Sequence, residues 1–503
     1  MWKRCQSEDM QTSPTIPASH AVLTTAEMYA ADKAAAAAGI STLDLMEAAG
    51  SGVANVIRAR WQRQPIAVLC GPGNNGGDGF VVARLLAADG WTVRLALLGP
   101  EVEVRGDAAV NAQRWRDAGG KIEPLGAGIL DDAPLVVDAL FGAGLSRPLT
   151  GAALDVVTRI NEQNLACVAI DVPSGVAGDT GEILGAAPQC AATVTFFRMK
   201  PVHLLYPARA LCGDITVVDI GIPARVLTDI APCTAHNRPG LWALRKPRWD
   251  DHKYARGSAI VIGGGDMTGA ARLAARTARR VGAGLLTLAV PPAAVQIYAA
   301  SEPGCFVQPM AGAADLDRIL SDPRRNGVLI GPGAGVGMAT CVNALRVLGA
   351  DKAVVLDADA LTSFQDDPAQ LFTAIKRRQH PTVITPHEGE FARLFKVAGS
   401  KLARARAAAA ESGATVVLKG SDTVVAAPHG RAAIADNATP WLATGGTGDV
   451  LAGLTLGLLV QGLRGWEAAC AAVWLLGAAG SLLGPGLIAE DLPEALPKVL
   501  KAL

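Results

Sequence analysis

Ile66-Ala-Val-Leu-Cys-Gly-Pro-Gly-Asn-Asn-Gly-Gly-Asp-Gly-Phe-Val-Val-Ala-Arg-Leu-Leu86 reads as an apolar strand, a tight polar loop and an apolar helix, in that order. Free backbone N–H groups at the start of such a helix, with its dipole, attract an anion such as phosphate. A glycine turn alone could serve only to pack helix on strand, but Asn-Asn followed by Gly-Gly-Asp-Gly favours a ligand loop. A second turn, Ala443-Thr-Gly-Gly-Thr-Gly-Asp-Val-Leu-Ala-Gly453, opens another apolar helix and places Asp449 directly after Gly448. Its N–H groups can face a transferring phosphate while Asp449 faces the hydroxyl that receives it. Two such loops far apart in one chain imply two active sites.

Outward from the first loop, strand-like runs alternate with helical or loop segments: Val93–Leu98, Leu135–Asp138, Cys167–Asp171 and Thr193–Phe197. This pattern predicts a doubly wound parallel sheet. Two helices are expected before it, Thr24–Gly39 and Leu43–Arg60, the second capped by Ser41 or Thr42. A second alternation runs through Ala259–Gly263, Leu285–Val290, Gly327–Ile330, Ala353–Asp357, Thr382–Thr385 and Thr415–Lys419. The runs Thr423–Ala427 and Arg431–Ile434, joined by Pro428-His-Gly430, predict a hairpin and hence a mixed sheet edge. The expected organisation is a disordered extension at 1–20, a first α/β domain at 21–230, a linker at 231–250 and a second α/β domain at 251–503.

The 46 basic and 46 acidic residues cancel, so no basic field exists to hold nucleic acid or an anionic membrane, and small molecules are the expected partners. The nine cysteines (5, 70, 167, 190, 212, 233, 305, 341 and 470) include no C-x-x-C pair. That argues against a disulfide framework or structural zinc and suits a reducing cytoplasm. Residues 1–20 lack the apolar core of a secretory signal. The uncharged part of the 468–489 stretch is long enough to raise a membrane span, but its glycines, Ser481 and Pro485 read better as a buried helix of a large core.

Open α/β sheets bind ligands at the carboxyl ends of their strands, where Asn74-Asn75, Asp138 and Asp171-Val-Pro-Ser174 all lie. Asp138 or Asp171 alone could simply cap a turn; together they point to a site. The loop Gly142-Ala-Gly-Leu-Ser-Arg-Pro148 adds glycine amides and Arg147 for a phosphorylated ligand. Asn75, Asp138 and Ser174 are hard oxygen donors that suit an alkali or alkaline-earth cation.

Through Leu45-Met-Glu-Ala-Ala-Gly50, the Asn-Asn-Gly-Gly-Asp loop, Val137-Asp-Ala-Leu-Phe-Gly-Ala-Gly144 and Ile170-Asp-Val-Pro-Ser-Gly175, this half resembles the epimerase half of the bifunctional NAD(P)H-hydrate repair enzymes. The resemblance implies a Rossmann-like fold that holds the hydrated nicotinamide nucleotide. The implied contacts are Asn74, Asn75, Gly76, Gly77, Asp78, Gly142, Ala143, Gly144, Leu145, Ser146, Arg147, Pro148 and Asp171. It implies potassium on Asn75, Asp138 and Ser174, and Asp171 is the chosen acid/base. Relatives of this domain serve as noncatalytic scaffolds, so the fold alone does not establish turnover.

In the second half, Lys419-Gly-Ser-Asp-Thr423 offers a cation, amides and hydroxyls to a nucleotide, and Thr385-Pro-His-Glu-Gly-Glu390 offers imidazole and carboxylates. His387 taken singly is more often structural than catalytic. With Ile262-Gly-Gly-Gly-Asp266, Gly331-Pro-Gly-Ala-Gly335 and Leu356-Asp-Ala-Asp-Ala-Leu361, these motifs resemble the ribokinase-like dehydratase half of the same enzymes. The resemblance implies hydrate contacts at Ala270, Gly335 (with Gly333 the alternative), His387 and Asp449. It implies adenine-nucleotide contacts at Lys419, Gly420, Ser421, Asp422, Thr423 and Gly448. Asp449 is the expected base, ADP the expected phosphate donor and magnesium the expected metal, in a cytoplasmic homo-oligomer. Two departures stand out: Glu388 where the family usually has Pro, and Trp441 where a smaller residue is common. The competing expectation is a ribokinase-like small-alcohol kinase with a noncatalytic N-terminal binding or assembly module.

Overall fold

The computed structural model describes residues 15–503. Two compact units divide the chain, one ending at Thr234 and the other spanning Ala235–Leu503.

The first unit is built on a seven-stranded sheet in the order Glu123–Pro124, Val93–Leu97, Ile66–Cys70, Leu135–Ala139, Ala166–Ile170, Ala192–Phe196, Asp214–Val218. Every neighbouring pair is parallel. Successive strand residues face opposite sides. Val68 and Cys70 join a core with Leu45, Val53, Phe80 and Leu86, whereas Ala67 and Leu69 join Val156, Val157 and Ile160 on the other face. Burial on both faces explains why these strands are apolar runs rather than alternations. From Ile66–Cys70 the chain winds one way to Val93–Leu97, then restarts on the other side at Leu135–Ala139, so the switch point lies between those central strands.

The sheet of the second unit runs Ala432–Ile434, Val424–Ala426, Thr415–Leu418, Thr382–Ile384, Ala353–Leu356, Gly327–Ile330, Ser258–Ile262, Leu285–Val290, Phe306–Pro309. It is parallel except for the expected hairpin, whose strands pair antiparallel. Its switch point lies between Ser258–Ile262 and Gly327–Ile330. Helix Thr447–Val460 packs beneath the sheet against helix Thr268–Arg280, where a Cβ on Gly453 would come within 2.3 Å of the Ala274 carbonyl oxygen. Glycine there permits the close helix contact.

Three expectations need correction. Residues 1–14 lie outside the described residues, but Ala18–His20 forms a 3-10 turn with His20 buried, so the end of the expected extension is ordered. The expected 231–250 linker is largely part of the second unit. Leu241 and Trp242 are buried, and Trp242 Nε1 donates to Asn237 Oδ1 (3.1 Å) while Asn237 Nδ2 donates to the Cys470 carbonyl (2.8 Å). Composition suggested a loop because the anchors are a Trp and an Asn rather than a run of aliphatics. The strand Asp214–Val218 was also unforeseen; it is an edge strand whose half-exposed Asp-Ile-Thr-Val-Val lacks a continuous apolar signal.

Among the described residues, helix Gly465–Leu483 is long and apolar enough by composition to cross a membrane, yet 61% of its apolar window is buried inside the protein. Trp466 Nε1 donates to the Val425 carbonyl (3.1 Å), fixing it to the sheet. It is a core helix.

Candidate active sites

At the first switch point, glycine lets two loops touch. A Cβ on Gly71 would lie 1.9 Å from the Leu140 carbonyl oxygen, and one on Gly76 1.8 Å from that of Gly71. This contact sets Asn75 in the first turn of helix Asn74–Ala88, facing the loop after Leu135–Ala139. A Cβ on Gly142 would be 3.4 Å from both Asn75 Oδ1 and Asp171 Oδ2, so three separate expected contacts converge. Among the described residues the buried Asn75 Nδ2 has no hydrogen-bond partner, an unmet donor of the kind a ligand can satisfy.

Asp171 follows strand Ala166–Ile170 with a positive φ of 66°, which turns its carboxylate into the crevice. Its Oδ1 accepts from Lys200 Nζ (2.6 Å) and Thr195 Oγ1 (2.9 Å). Among the described residues its Oδ2 has only a long contact from the Ala143 N–H (3.3 Å). Burial pushes the Asp171 pKa up, but the Lys200 charge and hydrogen bond outweigh it and hold the carboxyl below its ordinary value. Burial, reinforced by Lys200, pushes His203 down to about 4. The neutral ring accepts from the Lys200 N–H at Nδ1 (2.9 Å), which leaves Nε2–H to donate to the Asp171 carbonyl (2.8 Å). Lys200, Thr195 and His203 therefore position Asp171. Sequence reasoning missed them, although Lys200 and His203 stand in Arg198-Met-Lys-Pro-Val-His203 beyond the carboxyl end of a strand.

Asp138 is fully buried; its Oδ1 accepts from Ser174 Oγ (2.6 Å) and its Oδ2 from Ser174 N–H (2.7 Å). Burial raises its pKa, and its hydrogen-bond partners, Ser174 and Leu140, are neutral. Asp78 is also buried, its pKa pushed well up by burial, then by Asp171 and Asp32. Gly77 packs on Met46, where a Cβ would meet Sδ at 2.6 Å. Ala143 is buried and Leu145 half-buried, while Gly144, Ser146, Arg147 and Pro148 are exposed along the loop.

The second site is organised around Lys419, at the end of strand Thr415–Leu418. Its Nζ bonds Asp357 Oδ1 (3.0 Å) and lies 3.7 Å from Glu390 Oε2. Burial opposes its charge, but Asp357, Glu390 and Asp449 together raise its pKa. Gly448 faces this pair: a Cβ there would lie 3.5 Å from Lys419 Nζ and 3.9 Å from Asp357 Oδ2. Asp449, one residue on, sits in the first turn of helix Thr447–Val460, and its carboxylate forms no hydrogen bond or ion pair among the described residues. Burial, then the charge of Asp357, pushes its pKa to about 7 despite Lys419.

Gly335 takes φ 82° and donates its N–H to Asp359 Oδ2 (2.8 Å), which ties the Gly331–Gly337 loop to the aspartates around Asp449. Gly333 backs onto the Gly263–Met267 loop, where a Cβ on Gly264 would lie 1.7 Å from its carbonyl oxygen. Ala270 lies one turn further, near the start of helix Thr268–Arg280. His387 caps helix Glu388–Leu394, its Nδ1 accepting from Gly389 N–H (2.9 Å), and its Nε2 lies 3.3 Å from Glu390 Oε1. Half of the imidazole remains exposed. Gly420 and Ser421 are exposed, whereas Asp422 is buried on Lys401 Nζ (2.6 Å) and Thr423 Oγ1 donates back to the Gly420 carbonyl (2.7 Å). Asp357 and Asp359 had been seen only as a motif, without a role.

A match to the family described as YjeF-related protein N-terminus covers residues 42–202, and one to NAD(P)H-hydrate dehydratase covers residues 259–500. The bifunctional NAD(P)H-hydrate repair enzyme of Salinibacter ruber is 36% identical over 95% of this chain and 96% of its own length. That of Moorella thermoacetica is 36% identical over 96% and 97%. The chain belongs to the bifunctional NAD(P)H-hydrate repair enzymes. Among solved structures, the ADP/ATP-dependent NAD(P)H-hydrate dehydratase of Bacillus subtilis, co-crystallised with ATP and Mg2+, is 29% identical over 52% of this chain and 94% of its own, with a TM-score of 0.45. Because relatives of this family match the chain from one unit through the other, the repair-enzyme assignment accounts for both halves, and the small-alcohol kinase expectation does not.

Proposed function

We propose that the first unit epimerises the R and S forms of hydrated NADH and NADPH, with Asp171 as acid/base, and that the second dehydrates the S form at the expense of ADP, with Asp449 as base. The observation that carries this assignment is that each crevice holds a carboxylate near a sheltered lysine: Asp171 on the buried Lys200, and Asp449 next to Gly448, which faces the half-buried Lys419.

In dehydration, Asp449 takes the hydroxyl proton as the hydrate oxygen attacks the terminal phosphorus of ADP and AMP departs. The phosphate ester then leaves as phosphate under the push of the ring nitrogen, and loss of a ring proton restores the dihydropyridine. A base with a pKa near the working pH suits the first step. Lys419, the exposed Gly420-Ser421 amides and Gly448 would hold the nucleotide; Ala270, Gly335 and His387 would border the hydrate. Among the described residues no three His, Cys, Asp or Glu side chains are grouped to hold a metal. One lysine among Asp357, Asp359, Glu390 and Asp449 nevertheless leaves the crevice acidic, which fits a magnesium ion carried in on the phosphates.

In the first unit, Asn75, Asp138 and Ser174 fit potassium, because Asp138 is a fully buried carboxylate whose hydrogen-bond partners are neutral. The ion would supply fixed positive charge. A cytoplasmic homo-oligomer is proposed, with no nucleic-acid or membrane partner, since the 46 basic and 46 acidic residues cancel.

The test is recovery of reduced-nicotinamide absorbance from mixed R and S NADPH hydrates with the purified protein, potassium, magnesium and ADP. Rapid, complete, ADP-dependent recovery is expected. A rapid phase that stops at the S fraction would remove the epimerase from the first unit, and no recovery would overturn the whole assignment.

A further inference from the structure

Helix Thr25–Ala37 lies outside the family match, which begins at residue 42, yet it is tied to the first crevice. Its start is fixed by a capping box between Thr24 and Glu27. Thr25 donates from its N–H and Oγ1 to Asp179 Oδ1 (2.7 and 3.0 Å), and its Oγ1 reaches the carbonyl of Ala143 in the substrate loop (3.3 Å). One turn along, Tyr29 Oη would lie 2.7 Å from a Cβ on Gly144, while 62% of Tyr29 stays exposed above that loop. Ala31 and Ala35 turn into the core. Asp32, three residues after Tyr29, is half-buried and its carboxylate has no hydrogen bond or ion pair among the described residues. It sits one turn beyond Tyr29 on a helix fastened to the Ala143–Gly144 loop of the crevice, and it feels the charges of Lys200, Asp171 and Asp78. A sheltered carboxyl without a protein partner is costly unless it carries a proton or meets a ligand.

We propose that Asp32 is the second proton-exchanging group of the epimerase, acting as acid where Asp171 acts as base, with Tyr29 closing the pocket over the substrate loop. The inference rests on the epimerase assignment of the first unit. Asp171 Oδ2 takes the hydroxyl proton of the hydrate, the ring C–N bond breaks as the carbon becomes an aldehyde, and Asp32 protonates the departing nitrogen. After the aldehyde rotates, the nitrogen attacks its other face, the N–H proton returns to Asp32 and Asp171 reprotonates the oxygen. Protons and electrons balance without a co-reactant. The surroundings of the two carboxyls push them apart in the required sense: burial and Asp171 outweigh Lys200 and bring Asp32 to about 6, while Lys200 holds Asp171 low.

The test uses the full chain with R-NADPH hydrate, ADP, magnesium and potassium, and compares wild type, D32N, Y29F and D171A across pH 5 to 9. Dehydration of the S hydrate and the thermal melt report folding. Expected for D32N is a fall in R-to-S kcat of about 100-fold with KM within a few-fold, and loss of the limb by which wild-type epimerisation declines above about pH 6. Y29F should change KM by less than tenfold. Wild-type epimerisation in D32N, or a slowed D32N that keeps the wild-type pH profile, overturns the acid role. D171A separates the two failures: if it too converts R hydrate at the wild-type rate, the first unit is not an epimerase at all.

Discussion

The two crevices use the same parts in opposite ways. In the first, the buried lysine bonds the proposed acid/base itself, Lys200 on Asp171 at 2.6 Å, and Asp171 stays ionised. In the second, Lys419 bonds Asp357 at 3.0 Å, and the neighbouring Asp449 carboxylate is left without a partner among the described residues, at a pKa of about 7. A carboxylate locked as an anion can only start a reaction by accepting a proton, whereas one poised near neutrality exchanges its proton with little driving force in either direction. Where the lysine docks decides which carboxylate is held and which is free.

The sharpest way to break this comparison is Asp449→Ala. Dehydration of the S hydrate should fall about 1,000-fold or more while epimerisation of R to S, followed by chromatography of the hydrates, stays near wild type. In the wild type, dehydration should rise with pH through about 7, because Asp449 must be unprotonated to act. An equal loss of both activities would mean the sites are not independent.

Next in size is Lys200→Met. Asp171 would keep its buried charge without its partner, so R-to-S conversion should drop about 100-fold and the first unit lose about 3–5 kcal/mol. Chemical denaturation followed with the S-dehydration readout separates these effects: the second activity should survive. If Lys200→Met converts R hydrate normally, Asp171 does not depend on its lysine and the contrast fails.

Much of this was legible in the sequence. The central strands of both sheets, the hairpin and the glycine loops announce themselves through buried apolar runs and turns only glycine can make, whereas the half-exposed edge strands Glu123–Pro124, Asp214–Val218 and Phe306–Pro309 do not. Gly71 and Gly76 carry their requirement in plain view. The positioning groups were harder. Lys200 and His203 reach Asp171 from the next strand's loop, and only the parallel pairing of Ala166–Ile170 with Ala192–Phe196 brings them together; Asp32, which feels the charge of Asp171, comes from a helix more than a hundred residues upstream. His387 shows the converse: its place in the Thr-Pro-His loop was clear, but not that its Nδ1 is already committed to capping a helix. Single-residue chemistry is visible in a sequence, whereas the partner that sets a pKa is a tertiary fact.

The same contrast should appear in stability against pH, on a smaller scale. Asp171 is depressed, so its contribution is present at neutral pH and lost as pH falls through its lowered folded value. Asp171→Asn should therefore destabilise the ligand-free protein at pH 8 and progressively less in acid. Asp449 is raised to about 7, so its contribution is present in acid and lost as pH rises through 7. Asp449→Asn should stabilise at pH 8, by roughly 1–2 kcal/mol, and change little at pH 4. Opposite signs at pH 8 are the outcome to look for in melts without nucleotide; equal signs would mean the two environments do not differ as described.

The smallest effect belongs to Glu388, where the family usually carries Pro. Its carboxylate forms a two-point pair with Arg404 (2.7 and 3.0 Å), and about half of the side chain is exposed. Arg404 also stacks over Phe391, 5.5 Å from the ring centroid, so the pair braces the first turn of the helix that His387 caps. Glu388→Ala should cost about 0.5 kcal/mol, since solvent screens the pair, and should leave both activities within twofold. Glu388→Pro should cost no more: the residue is the first of its helix, where a missing N–H is tolerated. A large loss of dehydration in either variant would show that the Thr385–Glu390 loop depends on Arg404 for its shape, and that the acidic second crevice reaches further than the residues around Lys419.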